Sequence, residues 1–181
     1  MRVAEEERAK AQTALAMAFP APSRRDDDRF TARMISVMAS GLGGRFFDEL
    51  RERQSLAYTV GVHVSERVLA GTFVAYIATA PEKEDLARAG LLREFERLRE
   101  ELVTDEELDR AKEYAVGTHA IRRESNGALL SEMLDAWLFG QLSEPAEFEA
   151  RIRSVTRDQV RRLAASCFDP AKRAEGVVRG R

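Results

Sequence analysis

The sequence predicts an α+β fold in which an antiparallel sheet carries its helices on one face. Residues 58–64 alternate with a period of two, and residues 69–79 form a nearly continuous apolar run after a short polar turn. This arrangement is typical of an antiparallel hairpin. Helical patterns then follow one another from residue 84 onward without intervening strands. Strands and helices that are segregated in this way indicate α+β rather than a parallel α/β sheet.

Length and charge favour one globular domain and exclude several classes of partner. A chain of 181 residues can bury roughly 70% of its unfolded surface. The net charge is -2 and both signs are interspersed, so we expect neither a nucleic-acid surface nor an anionic-membrane surface. We also expect no membrane span and a soluble protein of bacterial type, with the cytoplasm and the periplasm both left open. Residues 1–11 are interpreted as a linker and residues 12–181 as the single domain.

The first part of the domain predicts a strand and then a helix. Residues 13–19 alternate large and small side chains before two prolines, which suits a strand in close packing. Asp26, Asp27 and Asp28 place negative charge at a helix N-terminus, and Gly41 ends that helix. Its inward residues are Phe30, Met34, Val37 and Met38.

A glycine-rich turn comes next, and it brings two functional candidates toward one rim. Gly41, Gly43 and Gly44 allow positive φ and tolerate the close approach of another chain. Arg51 borders the buried side of the short helix that follows, and Tyr58 begins the next strand. A guanidinium and a phenol are therefore expected near each other.

The short helix itself predicts local ion pairs. Arg45 and Glu49, and then Glu49 and Arg53, have the i,i+4 spacing of charged partners on a helix surface. Its apolar stripe consists of Phe46, Phe47 and Leu50.

The second half of the chain predicts a series of helices and one last strand. Helices are expected at 84–101, from 104 to a pause at 125–127, from there to Gly140, around Phe148, and at 156–167. The segments at 104–107 and 156–159 have the form of capping boxes. A final strand is expected near 176–178. The helical spacing around Trp137 assigns this side chain to the core.

Histidine and cysteine patterns do not predict a metal or nucleophile site in this chain. His63-Val64-Ser65-Glu66-Arg67 approaches H-x-x-E-H, but a cation stands where the second ligand is needed. His119 is expected to be a packed or capped core histidine, and Cys167 has no evident catalytic partner. The glycine turn follows a helix and lacks G-K-[ST], which argues against a phosphate loop.

Two motifs carry a family resemblance that covers nearly the whole chain. The glycine turn is followed by R-F-F and by L-R-E-x-x-x-L-A-Y at 50–58, and residues 19–26 read F-P-A-P-S-R-R-D. Together they resemble the C-terminal half of the pitrilysin/insulinase family of zinc peptidases, which includes the mitochondrial processing peptidase. The resemblance implies the LuxS/processing-peptidase-like metallohydrolase fold.

The same resemblance implies a function for the turn and its rim. In the family, the residues that match Arg51 and Tyr58 reach across a closed clamshell to the substrate backbone, so these two are the catalytic candidates. Gly41, Gly43 and Gly44 are the substrate-binding candidates. Zinc is expected in the partner half and none in this chain. Gln54-Ser55 departs from the Arg-Gly that the family usually has, in the turn that aims Tyr58.

The expected partners are a zinc-bearing N-terminal half or subunit and a peptide substrate. The chain is not expected to hydrolyse peptides alone, and it is expected to self-associate when isolated because an apolar flank would lack its partner. One alternative is a structural subunit, as in the core subunits of the mitochondrial cytochrome bc complex. Another is a peptide-binding module that adds a strand to the sheet edge.

Overall fold

A computed structural model of the chain describes residues 2–40 and 43–180, and it confirms the α+β class. The strands are β1 (Arg2–Arg8), β2 (Thr13–Ala21), β3 (Thr59–Glu66), β4 (Gly71–Thr79) and β5 (Ala174–Gly180). The helices are α1 (Arg29–Ala39), a π-helix (Phe47–Arg53), α2 (Glu84–Glu100), α3 (Asp105–Arg122), α4 (Asn126–Leu138), α5 (Glu144–Arg153) and α6 (Arg157–Cys167). Two single 3₁₀ turns, Pro81–Lys83 and Pro170–Lys172, precede α2 and β5.

The strands form one sheet in the order β1-β5-β2-β4-β3. Three of the four pairings are antiparallel, as predicted, and β1 pairs with β5 in parallel. The predicted hairpin is β3 with β4, and its register pairs Glu66 with Gly71. The predicted last strand is β5.

The strand β1 lies within the segment that the sequence indicated as a linker. All seven of its residues are exposed, so it has no apolar alternation by which a strand could be recognised. Its place at the edge of the sheet depends on backbone pairing with β5 and on the ion pair between Glu5 and Arg179, whose atoms are 2.7 Å apart.

Five phenylalanines form the centre of the core between the sheet and the helices. Phe19 of β2, Phe73 of β4, Phe95 of α2, Phe46 before the π-helix and Phe168 after α6 are each at most 2% exposed. Their ring centroids lie 4.6 to 5.4 Å apart in tilted or edge-on arrangements, which aromatic rings favour. The core thus joins both central strands to the segment that carries Arg51.

The predicted helix starts are largely confirmed. Thr156 and Gln159 form a full capping box at α6, and Thr104 accepts a hydrogen bond from the Glu107 N–H at α3. No helix in residues 2–40 and 43–180 combines the length and apolar character that crossing a bilayer requires.

The helix α4 departs from its prediction. Trp137 is 64% exposed, so its assignment to the core is wrong, and only Ala136 is buried in this helix. Helical spacing identified an apolar stripe but could not tell which way it faces. The other exposed apolar residues of α4 are Leu130, Met133, Leu134 and Leu138.

Candidate functional site

The helix that carries Arg51 is a π-helix, which is a wider coil than the helix that the sequence predicted. The Gln54 N–H donates to the Glu49 carbonyl, five residues back, at 3.2 Å. Leu50 is fully buried on its inner side, where Gly90 of α2 lets it approach closely. A Cβ built on Gly90 would lie 2.6 Å from Leu50 Cδ2. Short π-helical segments occur often at functional sites, where they change the direction of a side chain.

One of the two predicted ion pairs of this helix is wrong. Arg53 does pair with Glu49 at 3.3 Å, as expected. Arg45 instead donates two hydrogen bonds of 2.8 Å each to the Glu107 carboxylate at the start of α3. Both side chains are at most 16% exposed. A bidentate pair shielded from water is stronger than an exposed i,i+4 pair, and a sequence shows no sign of a partner 62 residues away.

The backbone between Arg51 and Tyr58 is held by several hydrogen bonds. Ser55 has φ 49, in the left-handed region that favours glycine. The Leu56 N–H donates to the Leu50 carbonyl at 2.8 Å, and Thr79 Oγ1 donates to the Leu56 carbonyl at 2.5 Å. The departure at Ser55 therefore keeps the turn but places a residue with a Cβ in it.

Arg51 and Tyr58 lie together, as the sequence predicted. The Arg51 guanidinium carbon is 4.6 Å from the Phe47 ring centroid and 5.4 Å from the Tyr58 ring centroid. Its single ion pair among the described residues is a long one, 3.7 Å to Glu52. Cation–π contacts fix the position of a guanidinium without using its N–H donors. The platform residue Phe47 was missed as a site residue, although its i,i+4 spacing from Arg51 was visible.

Tyr58 is 74% exposed, which does not fit a half-buried structural tyrosine at the start of a strand. Within residues 2–40 and 43–180 its hydroxyl has no hydrogen-bond partner. The rim thus presents a phenolic O–H and several guanidinium N–H groups, all of them donors. Such a set can bind carbonyl oxygens or an oxyanion.

The three glycines have different surroundings. Gly41 lies outside the described residues. Gly43 is exposed with open space around its Cα, so a ligand can reach it. Gly44 is buried, and a Cβ there would collide with the backbone of Ser40, so its close approach is to its own chain.

Ser40 also closes part of the outer edge of β3. Its Oγ accepts from the Val62 N–H at 2.6 Å and donates to the Val62 carbonyl at 2.5 Å. Ser36 Oγ donates to the same carbonyl at 2.8 Å. Both outward backbone groups of Val62 are thereby occupied, which hinders the addition of another strand at this edge.

The described side chains of this domain do not form a zinc site. His63 is exposed on β3, and Glu66 pairs with Arg33 at 3.5 Å. In the described part of the chain, no group of three or more His, Cys, Asp or Glu side chains could hold a metal. Cys167 is buried, and this burial raises the pKa of its thiol, which disfavours the nucleophilic thiolate.

His119 is packed, in agreement with its prediction. Its ring stacks on Phe148 with centroids 3.9 Å apart, and its Nε2 lies 2.6 Å from Glu132 Oε1. A cavity of about 430 Å³ adjoins this pair at the turn between β3 and β4. Arg51 and Tyr58 precede the opposite end of β3. An eight-residue strand spans roughly 27 Å, so the cavity and the donor rim are separate.

The chain is similar in sequence to an inactive-domain family and to proteins described as zinc proteases. Residues 2–114 match the family described as the peptidase M16 inactive domain. A protein of Streptomyces coelicolor described as an uncharacterized zinc protease is 28% identical over 155 residues, which are 84% of this chain and 34% of that protein. The chain therefore spans about a third of the length of this relative.

Solved structures share its fold. The peptidase M16 inactive domain from Pseudomonas fluorescens gives a TM-score of 0.90 at 21% identity, covering 99% of this chain and 44% of that chain. A chain of Complex III2 from Candida albicans gives a TM-score of 0.85 at 13% identity, covering 97% and 45%. At these identities the likeness establishes the fold alone.

Proposed function

Because the chain belongs to the peptidase M16 inactive-domain family, we propose that it closes over a peptide substrate and adds Arg51 and Tyr58 to the active site of a catalytic half. The membership confirms the resemblance to the C-terminal half of a zinc peptidase. The zinc ion and the general base belong to the other half in this proposal. The work of this chain is to bind and orient the peptide.

The observation that carries the proposal is the set of donors without acceptors at one exposed rim. Arg51 is stacked on Phe47 and faces the Tyr58 ring, which leaves its N–H groups for a ligand. A peptide backbone offers carbonyl oxygens as hydrogen-bond acceptors. Guanidinium and phenol donors therefore match its chemistry.

Arg51 and Tyr58 have different roles in this proposal. Arg51 holds carbonyl oxygens of the bound peptide, in the ground state as well as in the transition state. Tyr58 donates to the oxygen that becomes negative when the scissile carbonyl is attacked. One donor to such an oxyanion is worth about 3 kcal/mol of barrier when the site excludes water.

A non-catalytic subunit of the same fold is the alternative, and a chain of Complex III2 from Candida albicans has this fold. A subunit that serves only in assembly does not need unpaired hydrogen-bond donors such as those of Arg51 and Tyr58 on an exposed rim. For strand addition, a peptide-binding module needs an open edge. At the β3 edge, Val62 has both outward backbone groups taken, which disfavours strand addition there.

The test compares two arginines of one helix. Arg51→Ala and Arg53→Ala are each introduced into this chain, which is combined with the catalytic half of its own source, and peptide hydrolysis is measured. We expect Arg51→Ala to raise KM and to lower kcat, because it removes a contact made to the bound peptide and kept in the transition state. Arg53→Ala removes an exposed pair with Glu49 and is expected to leave both constants within about twofold.

The melting temperatures of the two variants distinguish a role of Arg51 in substrate binding from a role in folding. If Arg51→Ala lowered the melting temperature in proportion to the lost activity, or if both variants kept the full rate, the proposed role of Arg51 would be wrong.

A further inference from the structure

The helix α4 has its polarity reversed relative to an ordinary surface helix. Its side toward the domain carries Ala128, Ala136 and Glu132, and Glu132 is bound to His119 at 2.6 Å and to Arg123 at 3.2 Å. Its outer side carries large apolar residues at i, i+3, i+4, i+7 and i+8. We call these five residues the α4 stripe: Leu130, Met133, Leu134, Trp137 and Leu138.

The α4 stripe is too apolar and too continuous to be an ordinary solvent face. A surface helix turns its apolar side to the core and its charges to water. Here the polar contacts are inside and five apolar side chains, each at least 41% exposed, are outside. Their combined surface reaches the few hundred Å² at which an exposed apolar patch usually marks an interaction site.

We propose that the α4 stripe docks on the catalytic half of the peptidase. The stripe is then a permanent contact surface, far from the rim that carries Arg51 and Tyr58. This inference rests on the proposed function. The family relatives supply the first reason, because they continue well beyond the part that this chain matches, which is 34% of the Streptomyces protein and 44% of the Pseudomonas chain. A surface that is covered by the remaining part has no reason to be polar.

The composition of the α4 stripe supplies the second reason. The two charged residues of α4 lie on the other side of the helix: Glu132 binds His119 and Arg123, and Asp135 lines the cavity at the β3–β4 turn. The stripe itself carries no charge, so the fitting partner is an apolar groove on the catalytic half.

The docking also agrees with the position of α4. Ser131, Asp135 and Ala136 line the cavity at the β3–β4 turn, so α4 lies at the end of the sheet away from Tyr58. A partner fixed at α4 and reaching toward Tyr58 contacts the domain at both ends.

The experiment uses the single tryptophan of the chain as a reporter. The chain is labelled with 5-fluorotryptophan, diluted until sedimentation gives a monomer, and titrated with the unlabelled catalytic half of its own source. We expect the one fluorine resonance, from Trp137, to shift and to lose its relaxation by a soluble gadolinium chelate as the complex forms.

Matched variants identify the surface. Leu134→Gln with Leu138→Gln should weaken the binding at least tenfold, since apolar side chains at the centre of an interface carry much of its affinity. Leu86→Gln, which changes another exposed leucine on a helix, should change it less than about twofold. Glutamine and leucine have similar helix propensities, so the variants should melt like the original chain.

Three results would overturn the docking. They are the absence of a complex, a complex that leaves the Trp137 resonance unchanged, and a shift that follows the concentration of this chain alone and persists with the catalytic half present. The proposed function fails in a different way. Arg51→Ala should bind the catalytic half with unchanged affinity, so kinetic loss and docking loss are observed separately.

Discussion

Two arginines with the same exposure have opposite surroundings in this domain. The side chains of Arg51 and Arg179 are 36% and 35% exposed. Arg179 donates to both carboxylate oxygens of Glu84, at 2.8 and 2.9 Å, and to both of Glu5, at 2.7 and 3.3 Å. Arg51 has two aromatic rings and one long ion pair. Exposure therefore does not separate an arginine that is bound in a network from one whose donors are unused, whereas hydrogen bonding does.

The Arg179 region is a network that ties distant parts of the chain together. Glu84 begins α2, and it also accepts from Arg88 at 2.8 Å. Arg88 in turn donates to the buried Glu175 of β5 at 3.1 Å. The network thus joins the first turn of α2 to the outer strands of the sheet. At the Arg51 rim, packing orients the side chain and leaves its donors unused.

The largest expected effect on stability comes from breaking the network at its centre. Glu84→Gln removes the charge that Arg88 and Arg179 share but keeps the shape of the side chain. We expect a loss of about 2 kcal/mol in the free energy of unfolding at pH 7, because these are hydrogen bonds to a charged and largely buried group. Urea unfolding of the isolated chain measures it.

Asp85→Asn is the matched control for Glu84→Gln. Asp85 pairs with the same Arg88 at 3.0 Å but its side chain is 98% exposed, so its loss should cost less than about 0.5 kcal/mol. Equal losses in the two variants would mean that the network does not stabilise the fold as described.

The network also predicts a dependence on pH. Hydrogen bonding from Arg179 holds the pKa of Glu84 below its usual value of 4.5, although burial opposes this. The folded state therefore favours the ionised carboxylate. This contribution is complete above the unfolded pKa and is lost as the pH falls through the lower folded pKa. The difference in the free energy of unfolding between the original chain and Glu84→Gln should be constant near neutral pH. It should become smaller below about pH 4.5.

A smaller effect is expected where α2 supports the π-helix. Gly90→Ala forces Leu50 to move, since the new methyl group would lie 2.6 Å from its Cδ2. We expect a loss of about 1 kcal/mol, because overpacking exceeds the gain in helix propensity. Activity with the catalytic half should also fall, since Leu50 is adjacent to Arg51.

Gly117→Ala is the matched control, because the added methyl group meets no neighbouring atom. Gly117 lies inside α3 with open space around it, so alanine should stabilise the chain by about 0.5–1 kcal/mol. Thermal and urea unfolding should show that Gly90→Ala lowers the free energy of unfolding and that Gly117→Ala raises it. The same sign in both would contradict the close contact between α2 and the π-helix.

The sequence predicted local features well and missed features that depend on distant partners. Periodicity located the β3–β4 hairpin, and motif order placed Arg51 beside Tyr58. The partner of Arg45 was missed because Glu107 is 62 residues away, and β1 was missed because it has no buried residue. The direction of Trp137 was wrong for a related reason. Apolar spacing identifies a stripe on a helix but does not indicate which way the stripe faces.

The most direct test of the Arg51 rim is Tyr58→Phe, which removes one oxygen atom and keeps the ring beside Arg51. We expect the free energy of unfolding of the isolated chain to stay within about 0.5 kcal/mol, because the Tyr58 side chain is exposed. With the catalytic half, kcat for a peptide should fall about 100-fold while KM changes little. An unchanged kcat, or a loss of stability as large as the loss of activity, would contradict the claim that this rim serves the substrate rather than the fold.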